Sequence, residues 1–538
     1  MDADARGRHV TLVGPEIEEN LGLRYVAASL ERAGHTTDLV VLQHEAEVVA
    51  RARAIAEASP KPLLVAVSLA FQSRAHDYLA FVVALRELGY AGHVTAGGHF
   101  ASCAATEVLE DFPELDSVCL YEADHVVVEL VAALERGSPL SHVPGLVWRN
   151  QDGRVTRTEP AAPPDLDALP WPDRRGPPQR CLGHAVAPIA AGRGCFGRCA
   201  FCCIATMHAS QGGGQRQRLR SVASVADEMA WLRKHRDVDV FVFNDDNFFP
   251  PGRDRALARV HALGDALDAR NVGRIAAVLR ARPPDVTPEL ARAIRDRLGC
   301  IRVFLGIDTN TAAGLAKLRP GVSPAHNEAA IAALREAGVY TTCNMLLFDL
   351  DTTLDGLREN LAFMGRHVDM PMNFGRVELY AGTPVLSDAL ARGRARGDYL
   401  RWDYDQPTPD LQRVYERTMR CFAPRNFGLG SVVNRLMGMR FRLELIRHLH
   451  GDRLVPAWKE RAGTLTQELM SDTLTCLDQI MDLVDVDDDR CAAELASLAS
   501  HMRSVDASIA DTVTTLDLAM RSLPHESRDA TPHPQAHP

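Results

Sequence analysis

The sequence predicts an α/β chain with a helical carboxyl-terminal region, on three observations. Short apolar runs alternate with helix-like stretches through residues 1–140, and the same rhythm returns between 181 and 405. From about residue 406 strand patterns fade, and apolar stripes at helical spacing take over. Between the two alternating regions, seven prolines fall from Pro160 to Pro178, which reads as an extended crossing rather than a domain. Strands alternating with helices are the pattern of sheets built from parallel β/α units.

In the first region, strands are expected at His9–Val13, Thr37–Leu42, Pro62–Leu69, His93–Ala96 and Ser117–Tyr121. Helices are expected at Leu21–Ala33, Ala46–Ala58, Ala75–Leu88, Ala104–Asp111 and Val126–Arg136. Five such units predict a doubly wound parallel sheet, which binds ligands at the carboxyl ends of its strands. The loops there are Gly14–Gly22, Ser68–Ser73, Gly97-Gly98-His99 and Tyr121–Asp124. Their glycines let backbone approach a ligand closely. The connecting stretch holds a hairpin pattern, Gly145–Asn150 and Asp152–Val155, turning at Asp152-Gly153.

The second region opens with an apolar run ending at Ile189. It then carries Cys195-Phe196-Gly197-Arg198-Cys199-Ala200-Phe201-Cys202, a C-x3-C-x2-C loop. Thiolates suit soft metal centres such as Zn, Cu(I) and Fe–S clusters. A structural zinc site closes with four ligands, and an electron-carrying [4Fe–4S] site uses four cysteines. Three cysteines leave one iron open. The alternative, a zinc knuckle or redox dithiol, needs a further ligand, for which Cys203 and His208 are at hand. About five more β/α units follow, with strands at Val238–Asn244, Ile275–Leu279, Ile301–Ile307, Tyr340–Phe348 and Asn373–Tyr380.

Composition sets the outer bounds. The 538 residues allow two to four domains, and 46% hydrophobic with 24% charged residues is ordinary globular usage. A net charge of −10 argues against a general nucleic-acid binder. No apolar run approaches the ~20 residues that span a bilayer, and Met1–Arg8 lacks the apolar core of a signal peptide. Twelve cysteines, three of them in one loop, suit a reducing cytoplasm better than a disulfide scaffold.

The cysteine loop, with Phe201 before its last cysteine, resembles the signature of the radical SAM superfamily. That resemblance implies a partial (β/α)6 barrel. It also implies a [4Fe–4S] cluster on Cys195, Cys199 and Cys202, whose open iron binds S-adenosylmethionine (SAM). SAM-contacting positions carried over from the family are Phe201, Asn244, Asp245, Asp246, Arg282, Gly306, Asp308 and Thr309. Asp351 and Thr352, before a helix, are expected to cap it.

The first region resembles the cobalamin-binding domain attached to many radical SAM enzymes. The match is carried by Asn20 and Gly22, by Ser68 and Leu69, by Gly97 and Gly98, and by Glu122. The loop Pro15–Gly22 lacks the histidine that ligates cobalt in the best-known members, so the lower ligand is unassigned. The implied organisation is a Rossmann- or flavodoxin-like B12-type domain over 1–140, a connector over 141–180 and a barrel over 181–405. A helical domain over 406–523 and a disordered tail over 524–538 complete it.

The resemblance implies a class B, cobalamin-dependent radical SAM methyltransferase. The reduced cluster would split SAM, and the resulting 5′-deoxyadenosyl radical would take hydrogen from an unactivated substrate carbon. Methylcobalamin would supply the methyl group, to carbon or phosphorus. A small-molecule substrate from natural-product, antibiotic-type biosynthesis is expected, with flavodoxin or ferredoxin as electron donor and neither nucleic acid nor membrane as partner. The alternatives are a cyclase or rearrangement enzyme using the same cofactors, and a zinc- or Fe–S-binding regulatory protein. Cys421, at the entrance of the helical region, is a candidate catalytic thiol.

Overall fold

The structure is a computed structural model that describes residues 8–211, 215–451, 456–484, 486 and 488–522. The tail at 524–538, expected to be disordered, lies outside the described residues.

The first sheet holds β1 (His9–Gly14), β2 (Thr36–Val41), β3 (Leu64–Ser68), β4 (His93–Gly97) and β5 (Ser117–Cys119). These five run parallel in the order β2-β1-β3-β4-β5. The order reverses between β1 and β3, which opens a crevice at their carboxyl ends. The hairpin of the connecting stretch adds β6 (Leu146–Arg149) and β7 (Val155–Arg157), antiparallel, to the far edge. Apolar side chains bury both faces. Helices Val48–Ala56, Ala75–Glu87 and Ala105–Asp111 cover one. Leu21–Arg32 and Val126–Arg136 cover the other.

The second sheet begins with the edge strand β8 (Gln179–Cys181) and β9 (His184–Ile189). A separate antiparallel pair, β10 (Gly192–Gly194) with β11 (Gln217–Leu219), brackets the cysteine loop. The sheet continues through β12 (Val238–Phe243), β13 (Ala276–Ala281), β14 (Cys300–Leu305), β15 (Tyr340–Phe348) and β16 (Met372–Arg376). Its order is β16-β15-β14-β13-β12-β9-β8, with all but β8 parallel, a curled half-barrel. Its outer helices start where the sequence supplies caps. Ser221, Thr287, Ser323 and Thr353 each accept a backbone N–H, and proline follows Thr287 and Ser323 at the first helical position. The cap expected on Asp351 and Thr352 falls on Thr353 instead. Asp351 pairs with Lys317 and Arg392, and Thr352 accepts from the Asp349 N–H.

An unforeseen hairpin, β17 (Ala395–Asp398) with β18 (Arg401–Tyr404), precedes helices Pro409–Asn426, Val432–His450, Pro456–Asp482 and Asp488–Arg521. Helix Val432–His450 closes the amino end of the half-barrel's inner face, where Leu445 packs with Val240, Ala276 and Ile301. Among the described residues, no helix is long and apolar enough to cross a membrane.

The two sheets are joined through buried charge. Arg174, from the proline-rich crossing, pairs with Glu19 of the loop after β1 and with Glu228 of the first barrel helix, the latter at 2.8 Å. Glu228, 1% exposed, also takes Arg220 at 2.5 Å. Arg174 donates a further bond to the Pro188 carbonyl of β9. Glu228→Gln would leave two buried guanidiniums short of a carboxylate, and breaking a buried pair costs ~3–5 kcal/mol. Urea unfolding followed by circular dichroism is expected to shift to lower denaturant by that amount. Arg53→Gln, which breaks the exposed Arg53–Glu57 pair, is expected to shift it by under about 0.5 kcal/mol.

Candidate functional site

The cysteine loop leaves β10 and is fixed by backbone geometry before any metal is considered. Gly194 has φ +79°, and a Cβ there would lie 2.1 Å from the carbonyl of Arg216, the residue before the partner strand, so only glycine fits. Within the loop, the Gly197 N–H donates to Cys195 Sγ at 3.3 Å, and the Cys202 N–H donates to the Cys199 carbonyl. Ala200 ties the loop to the barrel, donating to the Leu318 carbonyl and accepting from the Val385 N–H.

Two cations face the sulfurs. Arg282 stacks over the Phe196 ring at 4.5 Å; burial raises the Cys195 thiol, and the Gly197 N–H and Arg282 only partly offset it. Arg319 lies against Cys199 and binds the Asp308 carboxylate at 2.5 Å and the Gly306 carbonyl. Burial drives the Cys202 thiol up to about 12. Such a thiol stays protonated unless a metal takes the proton's place, which suits a soft-metal cluster.

Polar atoms without partners gather on the neighbouring loops. After β12 these are Asn244 Oδ1, Asp245 Oδ1 and Asn247 Oδ1, all buried, joined by Arg282 Nε and Arg319 Nε. Burial raises Asp245 to about 7, although its Oδ2 accepts from the Ala191 N–H at 3.0 Å. Buried groups of this kind are ordinarily satisfied. A zwitterionic ligand carrying both ammonium and carboxylate would satisfy both signs, so the residues fit SAM.

The carboxyl edge of the first sheet faces this loop. After β4, Gly98 (φ +111°) would put a Cβ 2.9 Å from Ala70 Cα, so the two loops touch through backbone. Helix His99–Cys103 packs against helix Cys203–Ser210, directly after the cysteines. His99 is lowered by burial, with Asp246 and His208 close by. Exposed apolar side chains Ile17 and Phe71 stand on the loops after β1 and β3. An apolar rim on a crevice suits a large planar ring, so these residues fit cobalamin.

Not every expected site residue presents its side chain there. Asn20 caps helix Leu21–Arg32, its Oδ1 accepting from the Leu23 N–H, with Gly22 beside it. Ser68 pairs with Gly97 across β3 and β4. Leu69 is a core side chain. Thr309 donates to Asn360 in a buried network with Asn310 and Asn327. Glu122 is taken up by Arg193 at 2.7 Å, by Arg218, and by His208 Nδ1 at 3.3 Å. Burial raises its carboxyl, but these partners outweigh it and bring the group down to about 2. Asp124 binds Arg193 through both oxygens, at 2.6 and 3.0 Å. His208 Nδ1 meets Glu122 and Cys203 lies beside Cys103, and among the described residues neither groups with the loop cysteines at the close spacing of a zinc site. Cys421 lies in the apolar core with Phe422 and Cys476, its thiol raised by burial. Arg193, Arg218 and Arg174 carried no signal of these contacts beyond their positions near the loop and in the crossing.

An open sheet with a ligand crevice, docked on a half-barrel that holds a three-cysteine loop, defines an enzyme whose chemistry comes from cofactors. The radical SAM superfamily pattern matches residues 189–363, and the B12 binding domain pattern matches residues 7–131. The chain is a radical SAM protein with an amino-terminal B12-binding domain, and the cofactors of those domains are a [4Fe–4S] cluster, SAM and cobalamin. It is 27% identical over 336 residues to hopanoid C-3 methylase of Methylococcus capsulatus, covering 61% of each chain. It is 26% identical over 336 residues to anaerobic magnesium-protoporphyrin IX monomethyl ester cyclase of Synechocystis, covering 60% of this chain and 63% of that one. The chain therefore spans about three-fifths of the length of these curated relatives. The solved structure of the cobalamin-dependent S-adenosylmethionine radical enzyme OxsB with aqua-cobalamin superposes with a TM-score of 0.67 at 15% identity. That match covers 96% of this chain and 80% of that one, and it is a likeness of fold.

Glu122→Gln would weaken the pairing with Arg193, Arg218 and His208 that holds the crevice against the cysteine loop. Trypsin cleavage in the 157–175 crossing at neutral pH is expected to run about tenfold faster or more in that variant, the response to losing over ~1.4 kcal/mol of closing energy. Gel densitometry over time checks it.

Proposed function

We propose that this protein is a cobalamin-dependent radical SAM methyltransferase acting on a small molecule. The reading is carried by one observation: the carboxyl edges of the two parallel sheets face each other. Helix His99–Cys103, entered through Gly97-Gly98, thereby meets the helix that follows the three cysteines. Cys195, Cys199 and Cys202 would hold the cluster. Asn244, Asp245, Asp246 and Arg282 would hold SAM, alongside Phe201, Gly306, Asp308 and Thr309 of the same loops. Gly22, Ser68, Gly97 and Gly98 would hold cobalamin in the β1/β3 crevice, with Asn20, Leu69 and Glu122 shaping the loops around it.

When bound, the cluster and SAM supply hydrogen-atom abstraction, and cobalamin supplies a methyl group to the site so activated. The chain's part is placement and exclusion of water. Arg282 and Arg319 set positive charge beside the thiolates. The Glu122, Asp124 and Arg193 set holds the crevice over the barrel mouth. A flavodoxin- or ferredoxin-type protein would deliver the electron. A cyclase reading is kept because the magnesium-protoporphyrin cyclase aligns over nearly the same share of the chain as the methylase.

Anaerobic reconstitution tests the reading. About four irons with matching sulfide, and one corrinoid per chain, are expected. Incubation with SAM and reductant should yield both S-adenosylhomocysteine and 5′-deoxyadenosine. Deoxyadenosine alone would favour the cyclase, and a single zinc without sulfide would overturn both. Cys199→Ala should lose the iron.

Asp245 also predicts a pH dependence. Its carboxyl, raised to about 7 by burial, must ionise to face the SAM ammonium. SAM affinity is therefore expected to be full above that value and to fall below it by up to about tenfold per pH unit. Equilibrium dialysis should show this slope, and Asp245→Asn should flatten it.

A further inference from the structure

The inner face of the half-barrel has a chemistry of its own. Side chains on a strand alternate between faces. Leu279 of β13, Val303 of β14, Cys343 and Met345 of β15, and Phe374 of β16 belong to the outer apolar core. Arg280, Arg302, Phe304, Asn344 and Asn373 therefore line the inside. Parallel register sets Arg280 beside Phe304, and Asn344 beside Asn373. Strands of a parallel sheet are ordinarily buried on both faces. Yet Arg280 and Asn344 are exposed, in the middle of the sheet, so the lumen is an open chamber.

Two cations stand in that chamber without counter-ions. Among the described residues, Arg280 has no ion pair, and Arg302 has only neutral partners. Arg302 donates to Thr342 Oγ1 at 3.1 and 3.0 Å and lies over the Tyr340 ring. Burial lowers Arg302, Tyr340 raises it, and neighbouring Arg280 lowers it further. By contrast, the arginine of the adjoining loop that takes an acid, Arg319, sits against the cysteines with Arg282. That pair is placed for the SAM carboxylate, which leaves the deeper pair for something else. Asn373 Oδ1 is buried and unpartnered, while its Nδ2 donates to Asn434 Oδ1 at 2.9 Å. Arg280 is open to the lumen and Arg302 half-buried beside it, and two neighbouring guanidiniums without a counter-ion repel each other until an anion joins them.

We infer that Arg280 and Arg302 bind an oxyanionic group of the substrate, a phosphate-type or carboxylate end held in the barrel lumen below SAM, with Asn344 and Asn373 hydrogen-bonding the adjoining polar atoms. The inference rests on the barrel being the reaction chamber of the proposed methyltransferase. Phe304 would carry the apolar part of the same molecule. A phosphate-type dianion matches two cations better than a carboxylate does.

Equilibrium dialysis of radiolabelled orthophosphate tests this, with labelled acetate as a parallel arm. The protein is the full chain loaded with cluster, cobalamin and saturating SAM. Saturable phosphate binding is expected, weakened about tenfold or more in Arg280→Gln and in Arg302→Gln, and largely kept in Arg302→Lys. Tighter phosphate than acetate assigns a phosphate-type group, and the reverse assigns a carboxylate. No saturable binding, or binding unchanged in both glutamine variants, would overturn the inference. Iron and corrinoid content, measured on the same samples, shows that each variant is folded. A failure to load cofactors instead strikes the proposed function.

Discussion

Burying charge between two domains is costly, and most of this structure depends on a place where the chain does so twice. Arg174 sits between Glu19 and Glu228, and Arg193 sits between Glu122 and Asp124. Each set takes its acids from loops at the carboxyl edge of the first sheet, or pairs such a loop with the barrel. Apolar contacts would tolerate sliding of one sheet past the other. Charge pairs that are nearly dry do not, because any displacement leaves an ion without its partner. Gln72 adds a neutral clamp at the opposite side, donating to the Leu379 carbonyl and accepting from the Ala381 N–H. The result is a single registration of crevice against cysteine loop.

That registration explains the small irregular elements near the loop. A parallel sheet ends its strands at one level, but a metal-binding loop must project beyond them. The β10–β11 pair does this. Gly192 and Gly194 let the two short strands approach, while Arg193 and Arg218 between them reach across to Glu122. The same six residues that aim the cysteines therefore also present the cations that dock the neighbouring domain. Positioning of the loop and closure over it are one structural event.

Local order was legible and long-range pairing was not. Helix Val126–Arg136 and strand Tyr340–Phe348 match the sequence expectation at both ends, because periodicity and glycine stops act within a few residues. The cysteine spacing showed the cluster loop for the same reason. Glu122 was recognisable as a residue at a strand end, but its partners lie at positions 193, 208 and 218, and nothing near it announces them. Leu69 was read with the loop although its side chain belongs to the core, since position alone does not tell which way a residue at a strand's end turns. Thr309 is similar: its hydroxyl is spent on Asn360, 51 residues away. The β17–β18 hairpin went unread because Arg396, Asp398 and Arg401 give it no apolar alternation.

The inner face of the half-barrel was the least legible part, and the reason lies in the geometry of a curled parallel sheet. Its outer face meets helices and must be apolar, so alternate residues of every strand are spoken for. Only the inner set is free to vary, and it is scattered one or two residues per strand across nearly a hundred positions, from Arg280 to Asn373. No window of sequence shows Arg280, Arg302 and Asn344 as neighbours. Register alone does, by placing Val278 against Arg302, Arg280 against Phe304, and Asn344 against Asn373. The cofactor-facing end of the barrel repeats a pattern that can be recognised because loops carry it in contiguous stretches. The barrel's interior is written across strands, and only folding brings its letters together.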